Sequence, residues 1–238
     1  MNMIRYAMMK KLLGGSGGSG GSGGEEASAL DSLIDKSITE ITSNATTIGD
    51  RVFDGCSKLQ KVNLPNTTLI SDYAFNNCSM LSEINAPKVT RVGEGTSSYA
   101  FSGCSALESA KFPSALRVNG KCFYTCKSLK TLDFYALTYI NSYAFENSYI
   151  FSRLVLRGET RCTLNMTNAF SNCYHFHGTV NATYNPDGLK DGYIYVPRAL
   201  VEEYKAATNW SNFAEQIRAL EDYTVDGTIT GELDESKI

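Results

Sequence analysis

A phenylalanine recurs along the chain at Phe53, Phe75, Phe101, Phe123, Phe145 and Phe170, at intervals of 22, 26, 22, 22 and 25 residues. The residue before it is Val52, Ala74, Ala100, Cys122, Ala144 or Ala169. Three residues after it stand Cys56, Cys78, Cys104, Cys126, Ser148 and Cys173, and six after it Leu59, Leu81, Leu107, Leu129, Phe151 and Phe176. Five before it, where no insertion intervenes, sit Ile48, Ile70, Val118 and Ile140. Each unit also holds one short run of alternating apolar and mostly polar residues, such as Lys61-Val62-Asn63-Leu64-Pro65 and Glu83-Ile84-Asn85-Ala86-Pro87. The later runs are Ser109 to Pro113, Thr131 to Phe134 and Arg153 to Leu156. Alternation of this kind predicts a strand with one buried face. The prolines close strands where a missing N–H does no harm, and the intervening Asn, Asp, Ser and Gly predict tight turns. One such unit cannot bury its own apolar face, whereas stacked copies can, with a parallel sheet and side-chain ladders. The predicted fold is an α/β repeat solenoid of about six rungs, each 22–26 residues long.

These columns resemble the BspA-like subclass of leucine-rich repeats, whose unit reads roughly Ile-Gly-x-x-Ala-Phe-x-x-Cys-x-x-Leu-x-x-Ile-x-Leu-Pro. The match is close from Ile48 to Leu59 and from Ile70 to Leu81, and it covers about residues 38–180. The resemblance implies a leucine-rich-repeat fold and a role in surface adhesion or protein binding. Three departures stand out. Residues 93–98 add four residues to one rung, Ser148 replaces a cysteine, and the unit from Arg161 to Thr183 is distorted.

The solenoid is expected to span residues 25–192, with a C-terminal helical cap at 193–220 covering the core its last rung exposes. Tyr193 to Pro197 reads as a final strand. Leu200, Val201, Tyr204, Trp210, Phe213, Ile217 and Leu220 then recur at mainly helical spacing, with a break at Asn209 to Asn212. Trp210 is expected to be a packing plug. Residues 221–238 read as an acidic tail. At the other end, residues 14–24 form a Gly/Ser linker with a root-mean-square reach of roughly 18 Å. Ahead of it, residues 1–13 predict an anchor helix whose Ile4, Tyr6, Met8, Met9, Leu12 and Leu13 wrap most of the circumference. A helix of about 12 residues is marginal alone, so a second protein or self-association is expected to order it. Tyr6-Ala7 and Lys10-Lys11 ahead of a glycine-rich stretch resemble the start of tail-associated proteins of phages and prophages. An engineered fusion of a peptide to a repeat domain is the competing explanation of the regular linker.

Charge changes the picture little. The net charge of −3 divides into a basic start and an acidic end, leaving a nearly neutral middle with no basic stripe for nucleic acid. No apolar run approaches the ~20 residues that span a bilayer, and residues 1–13 lack a signal-peptide cleavage pattern. Seven cysteines invite a metal or redox reading. Five of them fall one per rung in a column, whereas zinc needs four ligands converging on one point; they are expected to be small buried residues. His175 and His177 alternate, and on a strand both would face one side. They are the best metal candidate available, but exposed strand histidines are commoner, so no metal or cofactor is expected. Gly-x-Ser-x-Gly occurs only within the Gly/Ser linker of residues 14–24, no phosphate loop or His-Glu pair at helical spacing is present, and the chain is read as a non-enzyme.

The repeat register points Lys61, Asn63, Glu83, Asn85, Ser109, Lys111, Thr131, Asp133, Arg153 and Val155 outward on the strand face. That row is polar, of mixed sign and different in every rung, as a recognition surface requires. The expected partner is a protein or a cell-surface glycan receptor. The favoured context is host-surface recognition by a phage-like tail protein, at a virion or cell surface. A bacterial BspA-like adhesin is the alternative.

Overall fold

The computed structural model describes residues 36–223 and the backbone of 224–225 and 228–229. The anchor helix, the linker, the start of the solenoid segment and the end of the acidic tail lie outside these residues.

Each regular rung contributes two strands instead of the single one read from the alternation. The longer strands run through Glu40–Thr42, Lys61–Asn63 and Glu83–Asn85 as one parallel sheet. They continue as a second sheet through Ser109–Phe112, Thr131–Phe134, Arg153–Leu156, Tyr193–Val196 and Ile217–Ala219. The second strand of each rung is two residues long and ends on the Ile/Val column. Thr47–Ile48, Leu69–Ile70, Arg91–Val92, Arg117–Val118, Tyr139–Ile140 and Thr163–Leu164 form an unbroken six-stranded parallel ladder. Its register is Ile48, Ile70, Val92, Val118, Ile140, Leu164, one residue per rung.

The core lies between the two ladders, and its spine is the phenylalanine column. Phe53 stacks on Phe75 at 5.3 Å, Phe75 on Phe101 at 5.3 Å and Phe101 on Phe123 at 5.5 Å, with interplanar angles of 10° or less. These separations are close to the ~4.8 Å between neighbouring strands, so rung stacking and ring stacking reinforce each other. The turn around each phenylalanine needs left-handed backbone two residues after it. Gly55, Asn77, Gly103, Thr125, Asn147 and Asn172 occupy that place with φ between 56° and 72°, mostly the residue types that tolerate it.

The cysteine column is buried, as expected, and it also bonds. Cys78 donates its thiol to the Phe53 carbonyl at 3.1 Å, Cys104 to Phe75 at 3.2 Å, Cys126 to Phe101 at 3.1 Å and Cys173 to Phe145 at 3.2 Å. Ser148 donates its hydroxyl to Phe123 at 2.7 Å in the same way. Burial pushes the Cys78, Cys104, Cys126 and Cys173 thiols far up in pKa, so they remain neutral donors.

The cap contains the expected helix and, where the spacing of Ile217 predicts helix, a further strand. Val201–Ala206 is an α-helix and Trp210–Gln216 a 3-10 segment, but Ile217–Ala219 is a strand that extends the outer sheet. Trp210 is the expected plug, fully buried. Its Nε1 donates to the Cys162 carbonyl at 2.7 Å, the Tyr204 hydroxyl accepts from the Cys162 N–H at 2.7 Å, and Asn209 Nδ2 donates to the Leu164 carbonyl at 2.9 Å. Side chains thus satisfy polar groups of the last short strand and the residue before it. The stretch after Leu220 begins as part of this cap, with Tyr223 packed against Tyr195 at 5.2 Å and the Glu221 carboxylate accepting from Arg198 N–H.

His175 and His177 do not sit on a strand. Tyr174–His177 is one helical turn, closed by Gly178 at φ 63°.

Candidate functional site

The outward strand face is built by the longer ladder, and its two halves differ. Lys61, Glu83, Asn85, Ser109 and Lys111 are exposed, while Asn63, Thr131 and Arg153 are half-buried. Lys61 sits between Glu40 at 4.0 Å and Glu83 at 3.7 Å, and Asn85 donates to Asn63 at 2.8 Å. These side chains line up because their backbones are in register, Glu40 with Lys61 with Glu83, and Thr42 with Asn63 with Asn85.

Two members of the expected row are not outward-facing surface. Asp133 is 5% exposed, and Val155 is fully buried. Both oxygens of Asp133 accept from Arg157, at 2.8 and 3.0 Å, so this carboxylate serves a partly buried ion pair. The same pairing raises the Arg157 pKa. Val155 lies beneath Tyr195 and Tyr223 in a small apolar cluster that Tyr193 and Leu220 flank. The open face therefore ends where the cap folds over the strands.

Between the two halves the sheet divides. The ladder hydrogen bonds that join every other pair of neighbouring long strands do not join Glu83–Asn85 to Ser109–Phe112. Two core columns change size here. Ile84 is followed by the smaller Ala110, and Ala86 by the bulky Phe112, whose ring packs on Phe101, Phe123 and Phe134 at 5.9–6.1 Å. The four extra residues of the Gly93–Ser98 insertion fall in the same rung. One strand spacing cannot suit both columns, and a notch of about 390 Å³ opens, lined by Ser82, Glu83, Ile84, Ser109, Ala110, Lys111, Thr131, Asp133 and Arg157. Five of the ten outward residues read from the sequence meet at this notch. Arg157 was not among them, although it stands where earlier rungs carry Pro65, Pro87 and Pro113.

The insertion is tied to the neighbouring rung and does not hang free. Asp72 Oδ1 accepts from the N–H groups of Glu94 and Gly95 at 2.8 and 3.1 Å, and Ser71 donates to Glu94 at 3.1 Å. The histidines are engaged separately. His175 Nδ1 is 2.5 Å from Asp191 Oδ1, and His177 Nε2 is 2.9 Å from the Phe170 carbonyl. Among the described residues, no three His, Cys, Asp or Glu side chains are grouped so as to hold a metal. No helix among them is long and apolar enough to cross a membrane.

Residues 31–150 and 94–182 match, in six copies, the family model described as BspA type leucine rich repeat region. Among solved structures, a leucine-rich-repeat protein of T. pallidum is 22% identical, with a TM-score of 0.48, over 58% of this chain and 71% of that one. A leucine-rich cell-surface protein of Faecalibacterium prausnitzii is 19% identical, with a TM-score of 0.33, over 52% of this chain and 39% of that one. A leucine-rich-repeat protein of Bacteroides ovatus is 18% identical, with a TM-score of 0.25, over 76% and 65%. No curated protein matches the chain.

Proposed function

Because the chain belongs to the BspA-type leucine-rich-repeat family, we propose that it is a non-enzymatic binding module whose open strand face recognises a protein at a cell surface. One observation carries this reading. The Phe, Cys and Ile/Val columns repeat nearly the same residue from rung to rung, whereas Lys61, Glu83 and Ser109 in one exposed row, and Asn85 and Lys111 in the other, differ in chemistry. A fixed core with a changing face separates stability from specificity. The family resemblance, with its association with adhesion, supports the surface setting.

The test is a binding screen against cell-surface proteins, repeated with a Lys61→Glu, Lys111→Glu double variant and with Lys127→Glu on a turn away from the face. The double variant loses at least about tenfold in affinity, near 1.4 kcal/mol, and Lys127→Glu binds as the parent does. Equal binding by all three overturns the reading.

A finer proposal concerns display. Residues 2–13 dock on a phage-like particle and residues 14–24 tether the repeats to it, a reading supported by the Tyr6-Ala7 and Lys10-Lys11 resemblance. Deleting residues 1–13 abolishes incorporation into particles while the repeats stay folded. Incorporation of the truncated protein overturns it.

A further inference from the structure

The short ladder carries a charge anomaly on its outer side. Arg91 and Arg117 are exposed and in register on neighbouring strands, which sets the bases of two like-charged side chains about 5 Å apart. Like charges at facing strand positions repel. Arg51, Arg157, Arg161 and Arg198 each pair with a carboxylate, whereas Arg91 and Arg117 pair with none among the described residues. Residues 64–71, 86–93, 112–121 and 134–142, which build this side of four successive rungs, contain no Asp or Glu. Arg117 is held in place by Tyr139, whose ring centroid lies 4.4 Å from the guanidinium carbon. The N–H groups of both guanidiniums are left for an oxyanion.

The surroundings narrow the class of anion. Both strands are interior members of the six-stranded ladder, so their backbone groups are used and no peptide strand can add to them. A ligand therefore meets side chains alone. Thr90 and Thr138 donate their hydroxyl protons to the Thr68 and Leu116 carbonyls, at 3.1 and 2.9 Å, so each oxygen faces a ligand only as an acceptor. Leu116 stands between them in the threonine column, bonded through its backbone to both rungs, and is 43% exposed. The patch thus offers two cations, two acceptors for hydroxyl donors and one aliphatic surface. An acidic sugar has all three counterparts: a carboxylate, hydroxyl groups and an apolar ring face. We propose that Arg91 and Arg117 clamp the carboxylate of an acidic glycan, with the sugar ring over Leu116 and its hydroxyls donating to Thr90 and Thr138. The site lies across the core from the long-strand face and does not depend on what that face binds.

The probes are a galacturonic acid tetramer and a sialylated trisaccharide, each with its carboxyl methyl ester as a neutral control, and a glutamate tetrapeptide. Binding to the full chain is measured by isothermal titration calorimetry at low salt. At least one acidic sugar binds, and its methyl ester and the tetrapeptide bind at least about tenfold more weakly. Arg91→Gln and Arg117→Gln each weaken the acidic sugar by about tenfold, while Lys58→Gln, at an exposed lysine on another turn, leaves it unchanged. The melting temperature of Arg91→Gln stays level or rises, because the substitution removes a repulsion, so its loss of binding is not a loss of fold. Three results overturn the proposal: neither acidic sugar binds, the ester or the tetrapeptide binds as tightly as the acid, or the arginine variants bind as the parent does.

Discussion

Ser148 donates its hydroxyl to the Phe123 carbonyl at 2.7 Å, in the column where Cys126 donates its thiol to Phe101 at 3.1 Å. The repeat tolerates this exchange because what it needs there is a small side chain with one proton to give to the previous rung. Cys126→Ser should therefore cost no more than about 1 kcal/mol. Ser148→Ala leaves a buried carbonyl one acceptor bond short and should cost about 1–3 kcal/mol. Urea unfolding of both variants checks this; equal losses would show that the column is only a matter of volume.

Alkaline pH should unfold the protein through its buried thiols and phenols. A thiol held neutral by burial has its folded pKa above its unfolded one, so its contribution is complete below the unfolded pKa and is lost as pH rises. Cys122, buried throughout, is pushed from 9.0 up to about 12, and burial moves Tyr195 from 10.0 to about 12. Melting temperature is expected to fall progressively between pH 9 and 12. A flat profile over that range would contradict the burial of these groups.

The cap predicts a graded response at one residue. Trp210→Phe keeps most of the packing and loses the bond to the Cys162 carbonyl, for about 1 kcal/mol. Trp210→Ala removes the plug and should cost about 3–5 kcal/mol. Thermal denaturation followed by circular dichroism separates the two, and similar small losses would mean that the last rung does not depend on its cover.

Asp133 and Arg157 offer a fourth test. Removing the carboxylate alone, as in Asp133→Ala, strands a guanidinium whose side chain is only 12% exposed and should destabilise by about 3 kcal/mol. Replacing both, as in Asp133→Leu with Arg157→Met, should recover most of that loss. A double variant as unstable as the single one would show that the pair itself, and not the stranded charge, holds the strands.

What the sequence made legible follows from what repeats. The Phe, Cys and Leu columns recur at one period because every rung makes the same contacts, so six copies of one signal announce the core. The second strand of each rung was missed because two residues are too few to alternate. Val155 looked outward because its register says so, and its cover, Tyr195 and Tyr223, comes from residues outside the repeat. The notch arises from Ala110 and Phe112, both acceptable core residues singly, whose sizes clash with their neighbours only when the rungs are stacked. Arg157 in a proline's place was the one mark of the ion pair visible beforehand. His175 and His177 mimicked a strand because four residues fit either period.

The side chains of Tyr204, Asn209 and Trp210 close the backbone of the last short strand. A solenoid grows by offering each new rung an open edge, and here that offer is withdrawn by three residues that belong to no rung. Added copies of the 22-residue unit must therefore enter upstream of the closure, between existing rungs, where both faces of a newcomer meet partners of the same design. The length of the strand face can change by whole steps without disturbing the terminus, and the short ladder has one direction in which it is closed to a further rung.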